Sequence, residues 1–257
     1  MNTKLKGNIN HSVCRWCYNH MTLEALVQAS KEIGITSVEL LDASEWNVVI
    51  QAGLTCAMGN GTTLGLTTGF NDPQWHRQLL KEYSESIPKA AHAGLKNIIC
   101  FSGNRNGMDD RRGMENCARG LEPVLAIARQ YNITMCIELL NSRVDHPDYQ
   151  CDRTEWGVEL CEKVGSPDLK LLYDIYHMQI MEGDVIARIR QYAKYIAHYH
   201  SGGVPGRHEI DETQELYYPA IMKAIVTTGF SGFIGHEFLP VNDPMQSLRD
   251  GVLRCDV

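Results

Sequence analysis

Eight short apolar segments recur along the chain, separated by stretches with helical periodicity, and this alternation limits the folds that it can adopt. The segments begin roughly 30 residues apart, which is the size of a strand–helix–strand unit. The predicted strands are 8–13, 37–41, 54–58, 97–101, 133–140, 169–174, 195–200 and 232–238. The predicted helices are 23–33, 44–52, 73–93, 111–131, 154–164, 184–192 and 215–228, and a short tail follows the last strand.

This alternation predicts a parallel sheet covered by helices, and eight repeats of it predict a (β/α)8 TIM barrel. The interval between 37–41 and 54–58 is short for a full helix, so this unit is the weakest part of the pattern. An open doubly wound sheet is the alternative, but no glycine-rich fingerprint follows the first strand. Because we find no linker or internal repeat, we expect a single domain over residues 1–257.

Residues typical of helix ends support these boundaries. Thr22 is the predicted N-cap of helix 23–33, and Gly34 follows its last residue. Pro123 lies inside helix 111–131, where a proline removes a backbone hydrogen bond, so we expect a kink or a division there.

The composition argues against two kinds of partner. The formal net charge of −7 disfavours nucleic acid, because proteins that bind it present a basic face. No apolar run approaches the roughly 18 residues that a membrane span needs, and residues 1–10 lack an apolar signal core. We therefore expect a cytoplasmic protein that acts on a small molecule. A removed export leader would leave no trace here, and homo-oligomer formation stays open.

The chain has nine cysteines, an odd number, and most of them lie in apolar runs. This pattern favours reduced thiols in the core of a protein from a reducing compartment. Cys14 and Cys17 have the CxxC spacing of some redox and zinc sites, but no second CxxC completes a four-cysteine zinc site.

Four of the predicted strands end in a side chain that can bind a metal ion or move a proton. Residues of one parity along a strand face the barrel axis, and the last inward position of each of these strands carries such a group. The four residues are Glu138, Asp174, His200 and Glu237. They belong to consecutive strands and lie at the carboxyl-terminal face, where TIM barrels have their active sites.

Three carboxylates and one imidazole at one barrel mouth predict a divalent cation. The carboxylates alone would repel each other and raise each other's pKa. Oxygen ligands with one imidazole and no thiolate favour Mn²⁺ or Mg²⁺, with Co²⁺ or Zn²⁺ as alternatives. A single such residue is usually satisfied by local hydrogen bonds, whereas four at matching positions indicate a shared site.

Other residues near the predicted mouth are candidates either for pocket walls or for ordinary packing. Asn10, His11 and Trp16 lie near the first strand, and Phe70 lies in the long loop after the third. His236 has the opposite parity to the ligand candidate that follows it, so we expect it to face the helices.

Four motifs surround the ligand candidates: ELLN at 138–141, YDIYHMQ at 173–179, HYHSGGVPGRHE at 198–209 and GHEF at 235–238. Together they resemble the hydroxypyruvate isomerase family. Further similarity at 38–41, 55–61 and 100–105 extends the resemblance over nearly the whole chain. That family belongs to the xylose-isomerase-like TIM barrels, as do the ketose 3-epimerases.

The resemblance implies an intramolecular oxidoreductase that interconverts hydroxypyruvate and tartronate semialdehyde through an enediolate. It implies that the four ligand candidates hold the metal ion and that Glu138 and Glu237 also transfer the proton. It further implies that His177 and Arg207 contact substrate oxygens. Arg207 lies in a loop with Gly and Pro over the predicted mouth, where a guanidinium could bind a substrate carboxylate with two hydrogen bonds.

Two positions depart from the resembled patterns. Some hydroxypyruvate isomerases carry glutamine where this chain has His200, and histidine is closer to the epimerases. The epimerases carry a glutamate six residues after the first ligand, where this chain has Val144. A ketose 3-epimerase or an inosose dehydratase on the same barrel is the alternative activity.

Two other classes fit less well. A phosphodiesterase similar to the apurinic endonucleases needs a zinc cluster and a basic face, whereas this chain has few strand-end histidines and a negative charge. A non-catalytic, metal-containing sugar-binding protein would not need two glutamates that can act as bases.

Overall fold

Seven parallel strands form one sheet in this computed structural model, which describes residues 4–257. The strands are β1 Asn10–Cys14, β2 Ser37–Glu39, β3 Asn97–Cys100, β4 Thr134–Glu138, β5 Leu169–Asp174, β6 Ile196–Ser201 and β7 Phe233–His236. Their order across the sheet is β2-β1-β7-β6-β5-β4-β3, and all neighbours run parallel. The predicted barrel fold is confirmed, with helices following the strands.

The prediction of eight strands was wrong at 54–58. This segment and the adjoining Gly59 join their neighbours only through isolated bridges, which pair Ser37 with Thr55, Leu41 with Gly59, and Gly59 with Ile98. Leu40 has a φ of 56°, so the backbone leaves the regular ladder directly after β2. The segment therefore occupies the place between β2 and β3 without forming a regular strand.

Nine helices accompany the sheet in the described part of the chain. They are α1 Leu23–Ile33, α2 Trp46–Gln51, α3 His76–His92, α4 Asp110–Tyr131, α5 Thr154–Val164, α6 Ile175–Met181, α7 Val185–Tyr192, α8 Tyr218–Thr227 and α9 Pro244–Cys255. None of them is both long and apolar enough to cross a bilayer. The limits of α1 are as predicted: the Thr22 hydroxyl accepts from the backbone N–H of Ala25, and Gly34 adopts a left-handed conformation.

Two helices were not predicted, and the helix expected to kink or divide at Pro123 is not divided. The tail after the last strand forms α9, which Asp243 caps and whose Leu248, Val252 and Cys255 are buried. α6 follows β5 without a loop. α4 continues through Pro123, because residues buried on both sides of this proline hold the helix against the barrel.

Part of the inside of the barrel is apolar below the strand ends. Met58, Ile99, Cys136 and Leu172 form a separate buried cluster there. Two of them lie two residues before the acids that end β4 and β5, which is the parity expected of inward positions. The larger core, between the sheet and the helices, contains most of the other buried apolar residues.

Candidate functional site

The four ligand candidates lie together at the carboxyl ends of the strands. Glu138 and Asp174 end β4 and β5, His200 is the penultimate residue of β6, and Glu237 directly follows β7. Ligand atoms from these four residues lie within 4.8 Å of one another, and all four side chains are buried. We call them the four-residue cluster.

His200 lies at the centre of this cluster. Its Nδ1 is 3.0 Å from Glu237 Oε2, 3.2 Å from Glu138 Oε1 and 4.0 Å from Asp174 Oδ2. Its other nitrogen points away from these acids, and Nε2 is 2.9 Å from Oε1 of Glu39. The imidazole therefore separates the three acids of the cluster from a fourth carboxylate deeper in the barrel.

The two carboxylate oxygens of Asp174 have different partners, one in the backbone and one in the site. Oδ1 accepts from the backbone N–H of His177 at 3.1 Å, and so caps the N-terminus of α6. Oδ2 faces the cluster and lies 3.5 Å from the Arg207 guanidinium. Because α6 begins directly after β5, the capping hydrogen bond fixes the orientation of this carboxylate.

Arg207 lies above the cluster between two aromatic rings. Its guanidinium carbon is 5.1 Å from the ring centre of Trp16 and 5.4 Å from that of Tyr176, which are cation–π distances. Its Nη2 donates to Glu237 Oε2. Trp16 donates through Nε1 to the other oxygen of Glu237 at 2.6 Å. Both oxygens of this glutamate therefore accept hydrogen bonds from side chains outside the cluster.

A hydrogen bond from the side-chain amide of Asn141 determines which ring nitrogen of His177 carries the proton. Asn141 accepts with its oxygen from the backbone N–H groups of Val144 and Asp145, so its NH₂ faces His177 Nδ1 at 2.6 Å. Nδ1 is then the acceptor, and Nε2 carries the proton. This buried Nε2 has no hydrogen-bond partner among residues 4–257 and lies 3.6 Å from Asp174 Oδ2.

A cavity of about 400 Å³ opens above the cluster, and both polar and apolar residues line it. The lining residues with polar or aromatic N–H groups are Trp16, Asn60, Glu138, His146, Arg207 and Glu237. The apolar lining residues are Leu40, Leu66, Ile99, Phe101 and Leu140. Of the expected wall candidates, only Trp16 lines this cavity. Phe70 stacks on Tyr83 with ring centres 5.7 Å apart.

Sequence reasoning missed His146 and Asn60 as lining residues. Both lie in polar loops after strand positions, which is a weak signal because most loops are polar. His146 is half-buried, and its Nε2 has no hydrogen-bond partner in the described chain. Burial and the nearby Arg207 charge lower the pKa of His146, which keeps its imidazole neutral near pH 7.

Burial is the largest influence on the pKa values within the cluster. It raises the pKa of Asp174 well above its usual range, and it also raises that of Glu138. For Glu237, burial is outweighed by Arg207 and His200, which hold its pKa well below the usual range. The carboxylate of Glu237 in turn raises the pKa of His200, against the effect of burial.

The donor set fits a divalent cation. The cluster contains three buried carboxylates and one imidazole, and the guanidinium of Arg207 lies beside it, so the acids outnumber the cations when all are ionised. Three oxygens and one nitrogen are ligands that Mn²⁺, Mg²⁺ and Zn²⁺ accept. The four-residue cluster could therefore hold a metal ion. Cys14, Glu39 and His200 form a second group of candidate ligand atoms below it.

A family model described as xylose isomerase-like TIM barrel matches residues 27–254. A putative hydroxypyruvate isomerase from Homo sapiens is 31% identical over 128 residues, which cover 50% of this chain and 46% of that protein. A 2-oxo-tetronate isomerase from Cupriavidus necator is 40% identical over 113 residues, which cover 44% of this chain and 43% of that protein. The chain thus spans about half the length of these curated relatives.

Solved structures share the fold at low sequence identity. An AP endonuclease of family 2 from Brucella melitensis has a TM-score of 0.82 and 23% identity, covering 93% of this chain and 97% of that one. The IOLI protein with a bound zinc atom has a TM-score of 0.74 and 15% identity, covering 96% of this chain and 95% of that one.

Proposed function

The chain belongs to the xylose isomerase-like TIM barrel family, and on that premise we propose that it is a metal-dependent isomerase of a small α-hydroxy carbonyl compound. The proposed reaction interconverts hydroxypyruvate and tartronate semialdehyde. The observation that carries this proposal is the four-residue cluster, whose ligand atoms lie within 4.8 Å of one another beside the cavity. Relatives named hydroxypyruvate isomerase and 2-oxo-tetronate isomerase support it.

The residues of the cluster would hold one divalent cation, with Mn²⁺ or Mg²⁺ favoured by the three oxygen ligands. A divalent ion bound there supplies Lewis acidity, which polarises a substrate carbonyl and makes the adjacent C–H more acidic. The zinc in the IOLI protein is consistent with a metal ion in a barrel of this fold.

Glu138 and Glu237 are suited to proton transfer because they reach the cavity from different strands. One carboxylate would remove a proton from C3 of hydroxypyruvate and leave an enediolate. The other would deliver a proton to C2, while the hydroxyl proton on O3 is lost and O2 is protonated. Atoms and charges balance, and the product is tartronate semialdehyde.

His177 and Arg207 would bind substrate oxygens. The Nε2–H of His177 is a buried donor that lacks a partner among residues 4–257 and points at the cluster. Arg207 is held between two aromatic rings, which leaves its guanidinium at the cavity wall. A carboxylate of the substrate is a suitable partner for this cation.

The apolar residues in the cavity lining favour a short substrate over a ketose of five or six carbons. Each extra hydroxyl that met these residues would lose hydrogen bonds to water, at a cost of about 1–3 kcal/mol. Val144, at the position where the epimerases carry a glutamate, is 63% exposed. A ketose 3-epimerase or an inosose dehydratase is the second candidate, supported by the shared barrel and by the histidine at position 200.

The proposal is tested with protein stripped by a chelator and reloaded with Mn²⁺ or Mg²⁺. Conversion of hydroxypyruvate, fructose and tagatose is followed by NMR in D₂O. In Glu138→Gln we expect turnover of hydroxypyruvate to fall by about 10²- to 10⁴-fold, because a base is lost while three ligands remain. Glu122→Gln, on the exposed face of α4, is the matched control.

The possible outcomes of this experiment point to different functions of the protein. Unchanged turnover in Glu138→Gln would remove the proposed role of this glutamate. Epimerisation of a ketose without conversion of hydroxypyruvate would favour the epimerase. Tight metal binding without turnover of any compound would indicate a binding protein.

A further inference from the structure

Glu39 is a fully buried carboxylate outside the four-residue cluster. It ends β2, and isolated burial of such a charge is costly. Its partners come from β6: Oε1 lies 2.7 Å from Nε2 of His198 and 2.9 Å from Nε2 of His200. A single carboxylate oxygen thus accepts from two imidazoles that lie two residues apart on the inner face of the barrel.

The two nitrogens of His200 face different groups, and this determines which of them can bind a metal ion. A nitrogen that binds a metal ion cannot carry a proton, so the other nitrogen must carry it and needs an acceptor. Nδ1 faces Glu138 and Glu237, whereas Nε2 faces Glu39. We propose that Glu39 is a positioning residue that holds the proton of His200 on Nε2 and so presents Nδ1 to the metal ion. This inference rests on the metal-binding part of the proposed function.

Gly235 independently supports this role of Glu39, because the absence of a side chain at Gly235 leaves the space in which Glu39 and His200 meet. It pairs with His200 across β6 and β7. A Cβ at this position would lie 2.4 Å from Glu39 Oε1 and 2.8 Å from His200 Cδ2, closer than side chains can approach. The strand that leads to Glu237 therefore lacks a side chain at the point where Glu39 reaches the imidazole.

A second metal site is the competing explanation for this group. Cys14 Sγ lies 3.7 Å from Glu39 Oε1 and 3.8 Å from His200 Nε2, so these three residues could supply ligand atoms. Oε1 of Glu39, the oxygen that lies near Cys14, already accepts hydrogen bonds from both imidazoles. This geometry favours hydrogen bonding over coordination.

The test compares Zn²⁺ binding to the full chain and to Glu39→Gln by isothermal titration calorimetry. We expect one site in both proteins and an affinity about 10- to 100-fold weaker in the variant, as for other groups that orient a metal-binding histidine. In the zinc-loaded protein, ¹⁵N NMR should show a protonated Nε2 on His200, with a shifted or broadened signal in Glu39→Gln. Gly235→Ala should weaken zinc binding in the same direction without changing a hydrogen-bonding group.

Asp256→Asn is the matched control. Asp256 is also buried, accepts from the backbone N–H of Lys6 at 2.9 Å, and lies 4.0 Å from His11, but it is outside the cluster. Its zinc affinity should equal that of the wild type. Wild-type affinity in Glu39→Gln would overturn the inference, as would a second zinc ion that is lost in Cys14→Ser. A wild-type protein that binds no zinc, manganese or magnesium would overturn the metal-binding part of the proposed function as well.

Discussion

Two pairs of buried histidines occupy opposite faces of the same sheet. The inner pair, His198 and His200, shares the carboxylate of Glu39 inside the barrel. In the outer pair, His11 and His236, a hydrogen bond of 3.0 Å joins the two rings, and the rings stack on each other. The Ser201 hydroxyl is the further partner of the outer pair, at 3.0 Å from His236.

The pKa of His200 and those of the outer pair shift in opposite directions, because different groups face them. Glu237 raises the pKa of His200 well above its usual value, against the effect of burial. No carboxylate within residues 4–257 hydrogen-bonds to the outer pair, and the nearby Asp256, 4.0 Å from His11, only partly offsets burial, which lowers the pKa of both of its members. His236 and Glu237 are adjacent in sequence, so a step of one residue along the chain leads from the outer face of the sheet to the inner face. Burial alone therefore does not tell what a histidine does.

The largest contrast between the pairs should appear when one member of each is removed. His200→Leu deletes a proposed ligand atom, and we expect Mn²⁺ affinity to fall by about 100-fold or more. His236→Leu should keep this affinity but lower the free energy of unfolding by about 1–3 kcal/mol, because Ser201 and His11 each lose a partner. Calorimetry with Mn²⁺ and chemical denaturation measure the two effects. Equal loss of Mn²⁺ affinity in both variants would contradict the contrast.

A pH titration of stability should sharpen the difference. Burial lowers the pKa of His11 from 6.5 to about 4. The unfolded chain then binds a proton that the native state does not bind, so stability is full above the unfolded pKa and falls as the pH drops towards 4. The difference between the two pKa values corresponds to on the order of 3 kcal/mol.

The measurement is chemical denaturation of the wild type and of His11→Gln between pH 4.5 and 7.5, a range set about the pKa of histidine. His236 contributes in the same direction, because its pKa is also lowered. The variant should show the shallower dependence on pH. Parallel curves for the two proteins would show that His11 is not held neutral in the fold.

A third histidine should give the smallest effect. His146 lines the cavity and is neither part of the cluster nor a member of either pair. In His146→Phe the ring remains but its nitrogens are lost, and we expect KM to rise about tenfold with little change in kcat, as for the loss of one substrate hydrogen bond. Val144→Ala, on the exposed side of the same loop, is the control. An unchanged KM would exclude a contact with substrate.

The barrel and the positions of the four-residue cluster were predictable because both depend on local periodicity. The acids of β4 and β5 follow apolar runs, and alternation along a strand places them inward. The segment 54–58 was predicted less well, since the left-handed backbone of Leu40 could not be read from an ordinary leucine. The helix α9, which completes the last strand–helix unit, was overlooked because the residues after the last predicted strand were interpreted as a short tail.

The sequence by itself determined the order of strands and helices, the inward parity of the acids and the family, because these depend on residues that are close along the chain. Only the tertiary structure decided which group each side chain faces. Glu39 and His198 are 159 residues apart in sequence, and Trp16 and Glu237 are 221 apart, yet each pair is hydrogen-bonded. Such contacts depend on how distant strands pack, and this packing leaves no periodic pattern in the sequence.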